Sequence, residues 1–410
     1  MSLSTLRKLT LGLVVIFFTF TLGYLTGARI IEINKNRPIK VNITRETPAN
    51  RQAVDFSLFW RVWDMLEANY FDKEKLVAAD MVYGAISGMV QAVGDPYTAF
   101  LPPSENKVVQ EDLQGNFDGI GIQIGFRGTQ LAVISPLPGT PAEKAGVKAG
   151  DYIIGIKDEA KDLDKGTVGI SLPEAVQAIR GPAGTKVALI LLREGSPEPI
   201  DVEIVRGTID VPSVILEFVD GGNGRKVAHL RLLKFGAETY AEWDKAVVEI
   251  SQKTDLSGVI LDLRNNPGGY LQGAIDTASD FLKVGDVVVI QESGSKVKES
   301  FKSERVGRLG GKKLVVLVNE GSASASEILA GALRDDNHVK IIGETTFGKG
   351  TIQEPLELDG GAGLHITIAR WLTPSGFWVN EKGLEPDIKI EDNPETLEDE
   401  QLLKAIELLQ

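Results

Sequence analysis

The chain has 410 residues, of which 43% are hydrophobic and 25% are charged, and it is long enough for two or three domains with their own hydrophobic cores. Its formal net charge of -13 argues against nucleic acid or an anionic membrane surface as the main partner, because clustered lysines and arginines bind those partners. The absence of cysteine excludes thiol catalysis, disulfide bonds and thiolate metal sites.

Histidine chemistry is also restricted. The three histidines, His229, His338 and His365, are far apart in the sequence, and none has the spacing of a metal-binding motif. We therefore predict no metal and no cofactor.

The first segment predicts a membrane anchor. Residues 9–28 carry no charge and follow Arg7 and Lys8, and twenty apolar residues match the length of a membrane-spanning helix. The preceding positive charges predict a cytoplasmic N-terminus, so we expect a single-pass protein of a bacterial-type cytoplasmic membrane with its domains on the extracytoplasmic side. Small residues at 26–28 leave open a cleaved signal peptide and a secreted protein. In this prediction residues 1–30 form the anchor and residues 31–53 a linker.

Residues 54–105 are predicted to be helical. An aromatic and apolar stripe recurs there at helical spacing, formed by Phe56, Phe59, Trp60, Trp63, Leu66 and Tyr70. Such a stripe is typical of a core or of a subunit interface, so a homodimer and packing within one chain both remain open.

Residues 106–208 change to strand patterns and resemble a PDZ domain. The resemblance rests on the Phe117–Gly125 strand, the Pro141–Asp151 run (PAEKAGVKAGD), the helix predicted at Leu172–Ile179 and two following strands. It implies that the backbone N–H groups of Gly119, Ile120, Gly121 and Ile122 face the terminal carboxylate of a bound peptide. Taken alone, those glycines are more typical of a hairpin. The charged segment 158–169 is longer than the resemblance requires, and its geometry stays open.

Residues 209–392 predict an α/β domain, and residues 393–410 a C-terminal helix. Helices are expected at Thr239–Gln252 and Leu271–Leu282, on either side of a buried strand at Val259–Arg264. The strand ends in the turn sequence NNPGG. The predicted fold class is therefore α/β multidomain: a membrane helix, a helical segment, an α+β PDZ domain and an α/β core.

Ser324 and Lys349 are the candidates for chemistry. Ser324 follows an apolar strand and opens a helix, whose N-terminal N–H groups can stabilise an oxyanion. The spacing Ser324-x-x-Glu327 also fits a capping box, so the serine could simply cap that helix. Lys349 lies among Phe347, Gly348 and Gly350, where desolvation could make it a base, although a lone lysine is more often a surface charge.

These motifs together resemble the C-terminal processing peptidases, also called tail-specific proteases. The resemblance is carried by GSASASEILAGALRD and GETTFGKGTIQ, preceded by LDLRNNPGG and placed after a PDZ domain. It implies a core of ClpP/crotonase-like type in which Ser324 is the nucleophile, Lys349 the general base and Gln353 the residue that positions the lysine. It also implies an oxyanion hole formed by backbone N–H groups of Gly268 or Gly269 and of Ala325.

The implied function is a serine endopeptidase that cleaves extracytoplasmic proteins at or near their C-terminal tails through an acyl-enzyme. Its expected partners are proteins with exposed apolar tails, and the resemblance leaves open an adaptor and a homodimer. The PDZ domain would hold the substrate tail or block the active site until a tail displaces it. The main rival is a membrane-tethered PDZ adaptor with an inert peptidase domain.

Overall fold

The computed structural model describes residues 55–410 apart from residues 194, 197, 223, 295–297 and 392–397. The predicted anchor and linker therefore lie outside the described residues. In the part of the chain that is described, no helix combines the length and apolar character that a membrane span requires. The chain divides into two compact units: the described residues up to 100 with residues 358–360, and residues 101–357 with 361–410.

The first unit is helical. Its helices are α1 (Ser57–Asn69) and α2 (Ala78–Gln91). On α1 the rings of Phe59, Trp60 and Trp63 contact one another, and Trp63 is buried. Strand β1 (Ala99–Leu101) follows.

The second unit begins with the domain that the sequence predicts to be a PDZ domain. Its elements are α3 (Pro103–Gln114), β2 (Asn116–Gly119), β3 (Ile122–Arg127), β4 (Gln130–Pro136), α4 (Pro141–Lys144), β5 (Tyr152–Asp158), β6 (Leu163–Gly166), α5 (Leu172–Ile179), β7 (Lys186–Leu192), β8 (Ile200–Val205) and β9 (Gly207–Asp210). The main sheet has the order β3-β4-β5-β7-β8, with β6 paired to β5, while β2 pairs with β9. Helix α3 crosses the predicted boundary at residue 105, and α5 has the predicted bounds.

An α/β domain follows. Its strands are β10 (Val214–Asp220), β11 (Lys226–Leu232), β12 (Leu256–Asp262), β13 (Val287–Ser293), β14 (Lys298–Lys302), β15 (Leu314–Val318), β16 (Lys340–Gly343), β17 (Thr351–Glu357), β18 (Gly363–Leu372) and β19 (Ile388–Lys389). Its helices are α6 (Thr239–Gln252), α7 (Leu271–Ala278), α8 (Ala325–Asn337) and α9 (Glu400–Leu409). Helix α6 has the predicted bounds, whereas α7 ends at Ala278 rather than Leu282, and β12 ends at Asp262 rather than Arg264.

The central sheet of this domain determines where the site lies. It has the order β10-β11-β12-β15-β16-β19, and its strands run parallel from β11 to β19. Strands β12 and β15 are neighbours, with Asp262 opposite Leu317. The loops after their carboxyl ends therefore leave the same edge of the sheet side by side. One loop carries NNPGG, and the other carries Ser324. The prediction of an α/β multidomain chain is confirmed by the element order and the separate sheets.

Candidate active site

Ser324 occupies a strained turn between β15 and α8. Its φ of 55° and ψ of -114° lie in a region that residues with a side chain rarely adopt, and such a conformation costs roughly 1–3 kcal/mol. The serines on either side hold the turn. The hydroxyl of Ser322 donates to the carbonyl of Leu263 at 2.8 Å, and that of Ser326 donates to the carbonyl of Asn266 at 2.9 Å. Both bonds tie the turn to the loop after β12.

That loop brings the predicted oxyanion residues to the serine. A Cβ added to Gly268 would lie 2.9 Å from Cβ of Ser324 and 3.0 Å from the nitrogen of Ala325. The N–H of Gly268 donates to the side chain of Asn266 at 2.9 Å. No described acceptor takes the N–H of Gly269. Of the two predicted glycines, Gly269 is therefore the one that could donate, together with Ala325, to an oxyanion.

Glu327 is the residue whose role the sequence interpretation missed. Its carboxylate is fully buried and accepts four hydrogen bonds. One oxygen accepts from the Thr346 hydroxyl at 2.5 Å and from Gly348 N–H at 2.7 Å, and the other accepts from Ser324 N–H at 2.8 Å and Lys349 N–H at 2.9 Å. Burial raises the pKa of Glu327, and these bonds only partly offset that rise. The capping-box pattern was the only signal in the sequence, and it indicated a helix cap rather than a bridge to residue 349.

Lys349 is half-buried in a loop that a later segment supports. The Trp371 indole donates to the carbonyl of Lys349 at 2.9 Å, and the Trp378 indole donates to that of Gly350 at 2.9 Å. Asn380 accepts from the N–H of Gly350 at 3.3 Å. Two tryptophans and an asparagine thus fix the backbone that follows Lys349.

Gln353 lies on β17, close to the same loop. Its amide nitrogen donates to the hydroxyls of Thr351 at 2.8 Å and Thr367 at 3.2 Å. Gln353 pairs with Thr367 and Pro355 with His365, so His365 shares the face of the β17–β18 ladder that carries the Gln353 side chain. Burial lowers the pKa of His365, and the charge of Lys349 lowers it further. The structure therefore brings one histidine near the lysine.

The predicted tail-binding residues border a groove in the PDZ domain. Its lining consists of Phe117, Gly119, Ile120, Gly121, Ile122, Ile124, Val176, Ile179 and Arg180, from β2, β3, α5 and the residues that flank them. The Gly121 carbonyl accepts from Leu137 N–H at 2.9 Å, so the Ile122 N–H in the same planar peptide points the opposite way, off the free edge of β3. A bound chain could add to that edge as a strand.

Comparison with known proteins agrees with both parts of this geometry. A model described as peptidase family S41 matches residues 226–390, and a PDZ domain model matches residues 108–192. Carboxy-terminal processing protease CtpA of Bacillus subtilis (strain 168) is 38% identical over 334 residues, which cover 81% of this chain and 68% of that protein. The chain belongs to peptidase family S41.

Further relatives have the same description. Carboxy-terminal processing protease CtpB of Bacillus subtilis (strain 168) is 32% identical and covers 90% of this chain and 74% of that protein. A solved structure of a photosystem II D1 C-terminal processing protease has a TM-score of 0.50 and 30% identity, covering 85% of this chain and 95% of that one. A putative S41 protease from Bacteroides fragilis, at 16% identity and a TM-score of 0.55, shares the fold. This S41 peptidase is therefore a serine protease of the C-terminal processing type.

A largely buried ion network lies where the NNPGG loop of the S41 core begins. Arg264 binds Asp262 at 2.7 Å and Asp399 at 2.8 Å, and His229 lies 3.0 Å from Asp262. Burial raises the pKa of Asp262, but hydrogen bonds from His229 and Arg264 hold it well below its usual range. The network connects β11 and β12 to the residue before α9. Within the described ranges, no three His, Asp or Glu side chains converge as a metal site.

Proposed function

We propose that Ser324 is the nucleophile and Lys349 the general base of this S41 peptidase. The observation that carries the proposal is the Glu327 carboxylate, which accepts a hydrogen bond from the N–H of each residue. One buried group thus holds the two candidate residues, which are 25 positions apart in the sequence, at a fixed separation of their backbones.

The reaction begins when neutral Lys349 removes the proton from the Ser324 hydroxyl as its oxygen attacks the scissile carbonyl. The N–H groups of Gly269 and Ala325 stabilise the oxyanion of the tetrahedral intermediate. Protonated Lys349 then gives its proton to the leaving amine, and the C–N bond breaks to leave an acyl-enzyme. Water, deprotonated by the same lysine, hydrolyses the ester and releases Ser324. Gln353 limits where the amine can move.

The substrates that we propose are proteins with apolar C-terminal tails. The groove between β3 and α5 has apolar walls formed by Ile122, Ile124, Val176 and Ile179, and the peptide N–H of Ile122 points off the edge of β3. Apolar side chains fit those walls, and backbone N–H groups suit a terminal carboxylate. Gating by the PDZ domain is the second candidate, and it requires the tail to bind preferentially to an open state.

We also propose that the catalytic domain is extracytoplasmic and that residues 9–28 anchor it. The support is the uncharged stretch and the two positive charges before it. The chain has no cysteine, so a single cysteine at exposed Lys298 would be the only thiol. Labelling of intact cells with a membrane-impermeant maleimide is the expected result, and labelling only after lysis would contradict the proposal.

Sedimentation with and without substrate would test for a dimer, and activity of the purified chain alone would exclude an obligatory adaptor.

The mechanism is tested with the full chain and an unfolded protein that ends in apolar residues. We expect the unmodified chain to cleave it and the Ser324→Ala and Lys349→Ala variants to be inactive. Equal cleavage by all three would refute the Ser/Lys mechanism. A substrate whose tail is changed to charged residues tests recognition separately, since equal cleavage of both substrates would refute only the role of the PDZ groove.

A further inference from the structure

The segment whose geometry the sequence left open forms a hairpin against the groove helix. Strands β5 and β6 pair from Gly155–Gly166 to Asp158–Leu163, with a short turn between them. We call residues 158–166 the brace hairpin. It lies outside the groove lining, but it contacts α5, which forms one wall of the groove.

Lys161, in the turn of the brace hairpin, binds the C-terminal end of α5. Its ammonium donates to the carbonyls of Gln177 at 3.0 Å, Ala178 at 3.2 Å and Arg180 at 2.5 Å. An ammonium has three donors, so these bonds use all of them. The intervening carbonyl, that of Ile179, accepts from Arg206 at 2.8 Å. Two cations thus satisfy four successive carbonyls, which a helix end would otherwise leave to solvent.

A single buried carboxylate organises these two cations. Asp158 binds Arg206 at 2.6 Å, both side chains being 1% exposed, and it lies 3.8 Å from the Lys161 ammonium. Its other oxygen accepts from the N–H groups of Ala160 and Lys161 at 3.0 and 3.2 Å and so shapes the turn. The position of Lys161 is therefore set by the hairpin itself, and α5 is fixed relative to it.

The brace hairpin also reaches the start of α5, but there the contact is exposed. Lys165 lies 2.8 Å from Glu174, and both side chains are about half exposed, at 44% and 52%. Exposed ion pairs of this kind contribute little to stability. Lys165 therefore offers a matched comparison: a lysine of the same hairpin that contacts the same helix without holding its backbone.

We propose that Lys161 is a positioning residue for tail binding. It holds the carbonyl of Arg180, and its neighbour Arg206 holds that of Ile179; both Ile179 and Arg180 line the groove. Without the ammonium, the end of α5 loses three of the bonds that fix it to the brace hairpin, and a bound tail must order that end when it enters. The inference rests on the proposed role of the PDZ groove.

The experiment measures binding of a fluorescent peptide with an apolar C-terminus to the full chain carrying Ser324→Ala, which prevents cleavage. We expect Lys161→Met to raise Kd by about tenfold, the size expected for lost hydrogen bonds to a charged group. Lys165→Met should change Kd by less than about twofold. Lys161→Arg, which keeps a cation with several donors, should recover most of the affinity.

In the active chain, Lys161→Met should raise KM for an apolar-tailed substrate and leave kcat unchanged, because the catalytic residues belong to another domain. Thermal unfolding of each variant checks the fold, and the 35% exposure of the Lys161 side chain favours a folded Lys161→Met. An unchanged Kd in Lys161→Met, or an equal change in Lys165→Met, would overturn the positioning role alone. No binding to the parent Ser324→Ala chain, with cleavage of unfolded protein intact in the active chain, would overturn tail recognition and this inference together.

Discussion

The active site and the PDZ groove are held in place in different ways. At the active site a fully buried carboxylate, Glu327, accepts four hydrogen bonds from two loops, and a strained serine is held between two bonded serines. At the groove, the wall residues Ile122, Ile124 and Val176 are only half-buried, and the helix that forms one wall is fixed at its end by side chains from outside the groove.

This difference has a physical reason. Catalysis requires hydrogen-bond donors that are already positioned where charge develops in the transition state. An active site is therefore expected to be fixed by many contacts. A groove that accepts different tails needs a free strand edge and room for side chains, so few contacts can cross it. We therefore expect large losses from single changes at the active site and small, binding-specific losses from changes around the groove.

Apart from changes to Ser324 and Lys349 themselves, the largest effect is expected for Gly269→Ala. Gly269 has a φ of 134°, and an added Cβ would lie 2.2 Å from the carbonyl oxygen of Phe235. The loop must move, and with it the N–H that we assign to the oxyanion hole. We expect kcat/KM to fall by about 100- to 1000-fold, measured with a peptide substrate.

The control for this change is Gly311→Ala, a glycine with no neighbour within 4 Å of the added Cβ. It should retain full activity. Nearly full activity in Gly269→Ala, with an unchanged circular dichroism spectrum, would show that this N–H is not used.

A smaller loss is expected for Glu327→Gln. An amide has one oxygen, so it can replace one of the two acceptor atoms, while its NH₂ group would face donors from Ser324 and Lys349 or from Thr346 and Gly348. We expect kcat to fall by about tenfold to 100-fold with little change in KM. The exposed Glu320, in the turn before the nucleophile, gives the matched control Glu320→Gln. Equal kcat in both variants would show that Glu327 has no role in catalysis.

The sequence predicted the parts of this arrangement that depend on local patterns. Helices Leu172–Ile179 and Thr239–Gln252 were predicted with the observed bounds because apolar periodicity marks them. The roles of Glu327 and Lys161 were not predicted. Most of their partners are main-chain groups distant in the sequence, in residues 348–349 and 177–180, and a hydrogen bond to a backbone group leaves no residue-type signature at the partner.

The catalytic roles of Ser324, Lys349 and Gln353 came from resemblance, and they stay predictions. Composition and spacing alone left a capped helix and a surface lysine equally open. The fold adds their placement, since the loops after two adjacent parallel strands put Ser324 beside Gly268. Neither a serine nor a glycine indicates by its residue type that the two lie side by side in the fold.

Acid should affect the two regions differently. In the PDZ domain, burial raises the pKa of Asp151, but hydrogen bonds from Arg193 and from Lys148 N–H outweigh it and leave the pKa below its ordinary 3.8. The stability from Asp151 is thus present above pH 3.8 and is lost as the pH falls through the folded-state pKa. The pKa of Glu327 is raised, so its protonation does not destabilise the fold but removes an acceptor from the site.

We therefore expect kcat to fall on acidification before the PDZ domain loses structure. Hydrogen exchange of PDZ amides, followed alongside kcat, separates the two events. Asp151→Asn should remove the part of the acid dependence of PDZ stability that comes from Asp151, without moving the acid dependence of kcat. Simultaneous loss of both properties in the unmodified chain would contradict the assignment.

The smallest effect is expected for His365→Gln. This change tests whether a residue outside the loop of Lys349 affects the protonation of the lysine. The charge of Lys349 lowers the pKa of His365, and the coupling between two charges acts equally on both. A protonated His365 therefore favours the neutral form of Lys349, which is the form that accepts the serine proton. Glu357 shares the face of the ladder that carries His365, whereas Glu354 pairs with Ile366 and lies on the other face.

Since the pKa of His365 lies below 6.5, the imidazole is mostly neutral in neutral solution, and its removal should change little there. Once the pH falls below the pKa of His365, we expect kcat/KM of His365→Gln to be about threefold lower than that of the unmodified chain, with near equality at about pH 8. His338→Asn, at the left-handed end of α8, is the control and should match the unmodified chain under both conditions. If the ratio of kcat/KM between His365→Gln and the unmodified chain does not change with pH, His365 only packs beside the ladder. The protonation of Lys349 would then depend on the residues bonded to its own loop and not on His365.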